Sequence, residues 1–294
     1  MITVMGASGH TGLRLTELLL ESGEKVRALG RSAEKLQPLA SLGAETRSGD
    51  GEDARFLASA FRGADGVFTL LPPDVQSSDY LAQQDRMGEA IVDAIRESGV
   101  RRVVFLSSIG ADLPSGTGPI AGLHAQEERL RRIQGADVLL LRPAYFFENF
   151  YLTLDLIKHQ GVNGGAIAPE LVMPMIATRD VAGVAAQALR GRDFQGVVVR
   201  ELHGPRDLSH AEATRILGAR IGKPDLKYAQ FPYDDFVKGL VQMGVSENVA
   251  NLYAEMDRSL NEGKVKPIEG RRPENTTPTA FEDFASELER AYRS

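Results

Sequence analysis

Met1-Ile2-Thr3-Val4-Met5-Gly6-Ala7-Ser8-Gly9-His10-Thr11-Gly12 opens the chain, and the reading of this stretch decides the fold. A run of strand character passes directly into G-x-x-G-x-x-G. A helical pattern follows at once, with Leu13, Thr16, Leu19 and Leu20 on one side. Strand, glycine turn and helix in that order make an anion site. The N–H groups at the helix start point at a phosphate, and the helix macrodipole favours negative charge there. Glycine lets the backbone turn sharply and approach a ligand closely. The motif carries weight because it follows a strand, precedes a helix and heads a βαβ unit. Gly6, Ser8, Gly9, His10, Thr11 and Gly12 are the expected phosphate cradle; the plain alternative is a tight strand-to-helix turn without a ligand.

The next strand, Lys25-Val26-Arg27-Ala28-Leu29, ends at Gly30-Arg31-Ser32. In a dinucleotide-binding fold this tip meets the adenosine ribose, where an acidic residue selects NAD. Arg31 stands there instead, and Lys35 follows one helical turn on. A cationic pair suits a 2′-phosphate, so the expected cofactor is NADP(H), with NADPH preferred over NADH. Otherwise Arg31 is an ordinary solvated strand-end residue.

Strands and helices alternate through the first half, the signature of a parallel sheet. Helices are expected at Ala33–Ser41, 51–61, about 79–98 and about 122–134. Further strands are expected at 44–50, 66–71, 102–108 and 137–142. The continuous apolar runs in the last three fit strands covered on both faces. Later helices are expected at 181–189, 209–221, 233–243 and 281–292, with one more strand at 196–202. The fold class read from this order is a Rossmann doubly wound parallel sheet with a smaller mixed α/β C-terminal region on the substrate side. Residues 1–150 form the NAD(P)-binding domain. Residues 151–294 hold returning Rossmann elements and a smaller lobe. Ligands in such sheets bind at the carboxyl ends of the strands, where strand order reverses. That rule places Leu70, Leu71 and Pro72, then Ser107 and Ser108, then Pro143 and Tyr145, around the cofactor.

Composition narrows the function classes. The 294 residues suffice for a substantial core, and 43% hydrophobic content is ordinary for a soluble enzyme. The net charge of −6 comes without a basic run, which argues against a nucleic-acid partner. With no cysteine there is no disulfide, thiol nucleophile or cysteine metal site. The five histidines, at 10, 124, 159, 203 and 210, lack metal-ligand spacing. No apolar stretch approaches the ~20 residues of a membrane helix. The strand starting at residue 2 leaves no room for a signal peptide, so a cytoplasmic location is the default expectation.

Several stretches together resemble the NmrA-like branch of the atypical short-chain dehydrogenases/reductases. They are the glycine motif, Gly49-Asp50 before a helix, Val103-Val104-Phe105-Leu106-Ser107-Ser108, and His124-Ala125-Gln126-Glu127-Glu128-Arg129-Leu130. The most specific are Arg142-Pro143-Ala144-Tyr145-Phe146-Phe147-Glu148-Asn149-Phe150 and the closing Thr277-Pro278-Thr279-Ala280-Phe281-Glu282-Asp283-Phe284, with Thr178-Arg179-Asp180-Val181-Ala182 between. The resemblance covers essentially the whole chain. It implies either an NADPH-dependent reductase of quinones, dyes or similar electrophiles, or a non-catalytic redox sensor acting through a protein partner. It leaves open a homodimer.

One departure bears on mechanism. Extended short-chain dehydrogenases carry Tyr-x-x-x-Lys on the helix after the fifth strand, and a Glu often follows the Lys by four residues. Setting Glu128 on that Glu puts His124 at the Lys position and Ile120 at the Tyr position. The usual proton donor is then missing, which disfavours a sugar epimerase and suits hydride transfer to an acceptor that is its own electron sink. His124 is the expected catalytic residue, through a hydrogen bond to ribose or substrate, or else a packed helix histidine. Glu128 is either in the site or an ion-pair partner of His124 or an arginine. Asp50 either contacts adenine, as the family resemblance implies, or caps the following helix. Tyr80, Phe146 and Phe147 are the expected substrate pocket for a flat acceptor, against the alternative that these rings are core or surface.

Overall fold

The computed structural model describes residues 1–191 and 193–294. The strands and helices follow in chain order: β1 (Ile2–Val4), α1 (His10–Glu21), β2 (Val26–Gly30), α2 (Ala33–Ser41), β3 (Glu45–Ser48), α3 (Ala54–Phe61), β4 (Gly66–Thr69), α4 (Tyr80–Ser98), β5 (Arg102–Leu106), α5 (Ile120–Arg131) and β6 (Asp137–Pro143). After β7 (Tyr145–Phe146) comes a 3-10 turn at Phe147–Thr153, then α6 (Leu154–Gln160), β8 (Asn163–Gly165), β9 (Met173–Ile176), α7 (Thr178–Gly191) and β10 (Val197–Leu202). The chain closes with β11 (Asp207–Leu208), α8 (His210–Arg220), β12 (Tyr228–Gln230), α9 (Tyr233–Gln242), α10 (Glu247–Asn261) and α11 (Phe281–Arg293).

Seven strands form one parallel sheet in the order β10-β6-β5-β4-β1-β2-β3. The order reverses between β1 and β4, which opens a crevice beyond their carboxyl ends. Each face of the sheet has its own core. Leu15 and Leu19 of α1, Leu36 and Leu39 of α2 and the alanines of α7 cover one face. Leu57 and Phe61 of α3, Ile91 and Ile95 of α4 and Leu130 of α5 cover the other. The Rossmann doubly wound sheet expected from the alternation is therefore present, and β10 joins it from late in the chain. A third core, built on Phe147, Phe150, Phe281 and Phe284, holds the C-terminal lobe together.

Local chemistry sets the boundaries. Ser32 caps α2 by accepting from the Lys35 N–H. Asp53, rather than Asp50, caps α3, accepting from Arg55 and Phe56 N–H at 2.9 and 3.1 Å. Asp50 instead closes a short turn onto the Glu52 N–H at 2.9 Å. The helix α10 has no counterpart in the sequence expectation, although Ser246 caps it through the Val249 N–H. Val249, Leu252, Tyr253, Met256 and Leu260 recur at helical spacing along it, a stripe that the sequence reading passed over.

Two motif stretches tie the lobe to the sheet. The Glu148 carboxylate accepts the Thr178 N–H at 3.0 and 3.1 Å and the Thr178 hydroxyl at 2.6 Å, at the start of α7. The Asp180 carboxylate accepts the Thr279 N–H at 2.9 Å and its hydroxyl at 2.7 Å, just before α11.

The turn after β1 depends on one close approach. A β-carbon on Gly12 would lie 2.2 Å from the Gly6 carbonyl oxygen, and Gly6 itself has φ +68°. Neither position accepts a side chain without backbone movement. The register of α1 follows: Leu15, Thr16 and Leu19 are buried, while Leu13 faces outward at 37% exposure, unlike the face expected from periodicity. Gly12→Ala should cost about 3 kcal/mol of folding stability, the upper end for overpacking. Urea denaturation checks this; an unchanged midpoint would mean that the turn has slack.

Candidate functional site

A cleft of about 970 Å³ runs along the carboxyl ends of the sheet. At its centre is the turn from β1 to α1. Gly9 precedes the first helical residue, and no side chain caps that turn. The first N–H groups of α1 thus face the cleft with the positive end of the helix dipole behind them. A β-carbon on Gly9 would meet nothing nearer than the Gly6 oxygen at 3.5 Å, so the space over it is open. A side chain at this position would fill that space.

Arg31 and Lys35 line the cleft at the tip of β2 and, among the described residues, neither forms an ion pair within 4 Å. These two side chains give that part of the cleft a positive charge. Asp50 lies on the same side. Leu70, Leu71 and Pro72 follow β4 along the wall, and Leu70 packs against Gly6. Ser107 and Ser108 come from the end of β5, and Pro143, Tyr145 and Phe146 from the end of β6 and from β7. Leu152 and Val172 are exposed at the cleft, 75% and 64% respectively, and α10 contributes Met256 and Leu260, alongside Asp207 and Lys266 from the same lining. Among the described residues no His/Asp/Glu group is arranged to hold a metal ion.

Three expected site residues lie elsewhere. Phe147 is 1% exposed, with its ring 5.1 Å from Phe281 and 5.5 Å from Phe284. The 3-10 turn begins at Phe147, so its side chain turns away from Phe146 into the lobe core. Tyr80 is buried under α10: its N–H donates to the Asn248 side chain at 3.0 Å, and the Gln84 amide donates to its hydroxyl at 3.2 Å. The unforeseen helix thus converts a cleft-mouth tyrosine into a packing residue. His124 does not line the cleft either; its Nδ1 lies 2.9 Å from the Ala111 carbonyl oxygen.

The reason lies in the register of α5. Ile120 and Leu123 face the cleft, and Glu127 continues that face inward. The buried carboxylate of α5 is therefore Glu127, while Glu128 pairs with Arg131 at 3.4 Å, the ion-pair alternative read from the sequence. Glu127 is 1% exposed. It accepts the Ser107 hydroxyl at 2.6 Å and two Arg142 guanidinium N–H groups at 2.8 and 2.6 Å. This buried, bidentate pair fixes Ser107 at the cleft wall. Two adjacent glutamates hid the register, and only the placement of Arg142 on β6 distinguishes them.

Glu148 and Asn149, which the sequence reading did not single out as site residues, also border the cleft. Burial raises the Glu148 carboxyl above its usual range, partly offset by the Thr178 hydrogen bonds. The His10 ring stacks on Tyr151 with centroids 6.0 Å apart.

The sheet, its switch-point cleft and the glycine cradle define a Rossmann-type protein built to hold a dinucleotide. The chain belongs to the NmrA-like family, whose model matches residues 1–285. It is 30% identical over 267 residues to the NAD(P)H azoreductase of Xenophilus azovorans, covering 87% of this chain and 86% of that one. Its fold is similar to an NADPH-dependent quinone oxidoreductase of Escherichia coli complexed with NADPH (TM-score 0.81, 24% identity, 98% and 99% of the two chains). It is also similar to the triphenylmethane reductase of Citrobacter sp. complexed with NADP(H) (TM-score 0.82, 21% identity, 98% and 100%).

Gly9→Val should leave the fold intact, since the added carbons enter open space. It should weaken NADPH binding by ~100-fold, about 2.7 kcal/mol. Circular dichroism and calorimetry read the two effects; a folded variant that binds normally would displace the phosphate from this turn. His124→Ala should change turnover by less than about 3-fold, because the ring packs on the 111 carbonyl outside the cleft. A loss of 10-fold or more in steady-state assays would restore His124 to the site.

Proposed function

We propose that this protein is an NADPH-dependent reductase of small electrophilic acceptors such as quinones and azo or triphenylmethane dyes. The observation that carries this reading is the division of one continuous cleft into two chemistries. The polar half has the uncapped helix start with Arg31 and Lys35. The apolar half is walled by Phe146, Leu152, Val172 and Met256. The first half suits a phosphorylated dinucleotide and the second a flat organic ring. The relatives' named activities support the same reading.

When bound, NADPH supplies a hydride. The chain's part is positioning. Gly9 and the α1 N-terminus would hold the pyrophosphate, and Arg31 with Lys35 the 2′-phosphate. Leu70, Leu71, Pro72, Ser107 and Pro143 would wall the nicotinamide half, with Ser107 fixed by Glu127. Ile120 and Leu123 present no acid to the cleft, so the α5 helix orients without donating a proton. Apolar walls keep water from the reacting centre and strengthen the electrostatic contacts that remain.

Following NADPH absorbance with a panel of quinones, azo dyes and triphenylmethane dyes tests the proposal. Turnover of at least one acceptor class is expected. Tight NADPH binding with no acceptor reduced would favour the sensor reading. NADPH should bind ~10-fold or more tightly than NADH, a gap of about 1.4 kcal/mol. Arg31→Ala should erase most of that gap by weakening NADPH alone. Equal affinities in the wild type would overturn the NADP(H) assignment.

A further inference from the structure

We propose that Lys266, with the side pocket it borders, seats an anionic group of the acceptor, so that aromatic acceptors carrying a carboxylate, sulfonate or phosphate are favoured over neutral ones. The inference rests on the reductase reading above and names the class of acceptor within it.

Arginine and lysine line the cleft at three described positions: Arg31, Lys35 and Lys266. The first two lie at the tip of β2. Lys266 belongs to the segment that follows α10, and that segment is fixed on the other side of the strand reversal. Val265 is 6% exposed and packs on Gly110, in the loop after β5; a β-carbon on Gly110 would lie 2.9 Å from the Val265 side chain. Beyond Lys266, the Glu201 carboxylate at the end of β10 accepts the Ile268 N–H at 3.0 and 3.1 Å and the Glu269 N–H at 2.8 Å. In the sheet, β5 stands three strands from β2, and β10 stands further still. At about 4.8 Å between strands, β5 is ~14 Å from β2. The charge of Lys266 is therefore separate from the positive region at Arg31 and Lys35.

The backbone beneath Lys266 is restricted although its side chain is exposed. The Ser259 carbonyl accepts the Lys264 N–H at 2.9 Å and the Val265 N–H at 3.3 Å, which fixes the start of the segment. Pro267 follows directly, and its ring steers the preceding residue away from helical backbone. Lys266 is thus presented between a buried valine and a proline, with anchors on both sides.

A side pocket of about 430 Å³ opens between the loop after β5 and this segment, and Gly263 and Lys266 line both it and the cleft. Ser115, Ser259 and Lys264 line the pocket as well. Ser259 is 2% exposed, and its hydroxyl has no hydrogen-bond partner. A buried donor without an acceptor is costly, and an oxyanion in the pocket would supply the acceptor. The neighbouring acids are already engaged. Glu262 pairs with Lys264 at 2.7 Å, Glu269 with Arg272 at 2.5 Å, and Asp207 with Arg271. Among the described residues Lys266 has no ion-pair partner within 4 Å. A ring lying along Met256 and Leu260, which line the cleft from α10, would carry an anionic substituent toward Lys266. The lysine then binds and orients the acceptor and takes no part in the transfer of electrons, so its effect falls on KM. An exposed ammonium limits that effect to a modest factor.

A matched pair of dyes tests the proposal: 4-hydroxyazobenzene and its 4′-sulfonate, each assayed with NADPH. Lys266→Ala should raise KM for the sulfonate ~5-fold, and Lys266→Glu ~20-fold, with kcat changed less than ~2-fold. Lys266→Arg should stay within ~2-fold of wild type. Ser259→Ala should raise the same KM ~3-fold. The neutral dye and the affinity for NADPH should move less than ~2-fold in every variant. The sulfonate effects should shrink in about 0.5 M salt. A readout that needs no turnover is calorimetric binding of naphthalene-2-sulfonate to the NADP⁺ complex, which Lys266→Glu should weaken ~20-fold. Equal effects on both dyes, an unchanged KM for the sulfonate, or a loss confined to NADPH affinity would overturn the proposal. An unchanged Ser259→Ala variant would overturn the seat in the side pocket. If wild type reduces no acceptor, the reductase reading fails by itself. Naphthalene-2-sulfonate binding that depends on Lys266 would still uphold the anion seat, and binding that ignores Lys266 would overturn it.

Discussion

The contact between the Gly12 backbone and the Gly6 carbonyl is the constraint on which the molecule depends. Only hydrogen side chains allow the helix start to sit that close to the strand end. The approach aims the first N–H groups of α1 over the end of β1, at the reversal of strand order. The fold therefore places a helix N-terminus where the order of strands reverses and the crevice opens. Cofactor affinity and the angle at which α1 packs on the sheet are set by the same few atoms.

The family's most specific motifs act mainly as joints. Arg142, at the end of β6, is locked by Glu127 from α5, which also holds Ser107 at the end of β5. Glu148 fastens the start of α7, and Asp180 in α7 fastens the approach to α11. Each joint links elements far apart in sequence, and each carboxylate is met by several donors. A buried charge left unpaired costs about 3–5 kcal/mol, so these pairs favour one arrangement of lobe against sheet over nearby alternatives. The cleft keeps its shape because its two walls are tied together beneath it.

The α5 face presents Ile120 and Leu123 to the cleft, while Tyr145, Glu148 and Asn149 border it from the segment that follows β6. The core of Phe147, Phe150, Phe281 and Phe284 packs behind that segment, so sheet and C-terminal lobe both contribute residues to one cleft.

The sequence by itself determined the parallel sheet, the glycine turn after β1 and the placing of Arg31 and Lys35 at the tip of β2. Those features are local: a strand, a turn and a helix start announce themselves through periodicity and glycine spacing within a dozen residues. The strand ends at Leu70, Ser107 and Pro143 were legible for the same reason, because apolar runs stop where the crevice begins. Only the tertiary structure decided which side of α5 faces the cleft, that Glu127 rather than Glu128 is the buried carboxylate, and that Tyr80 and Phe147 are core. Those outcomes depend on what lies across from each residue: Arg142 on β6, Asn248 on α10, Phe281 and Phe284 on α11.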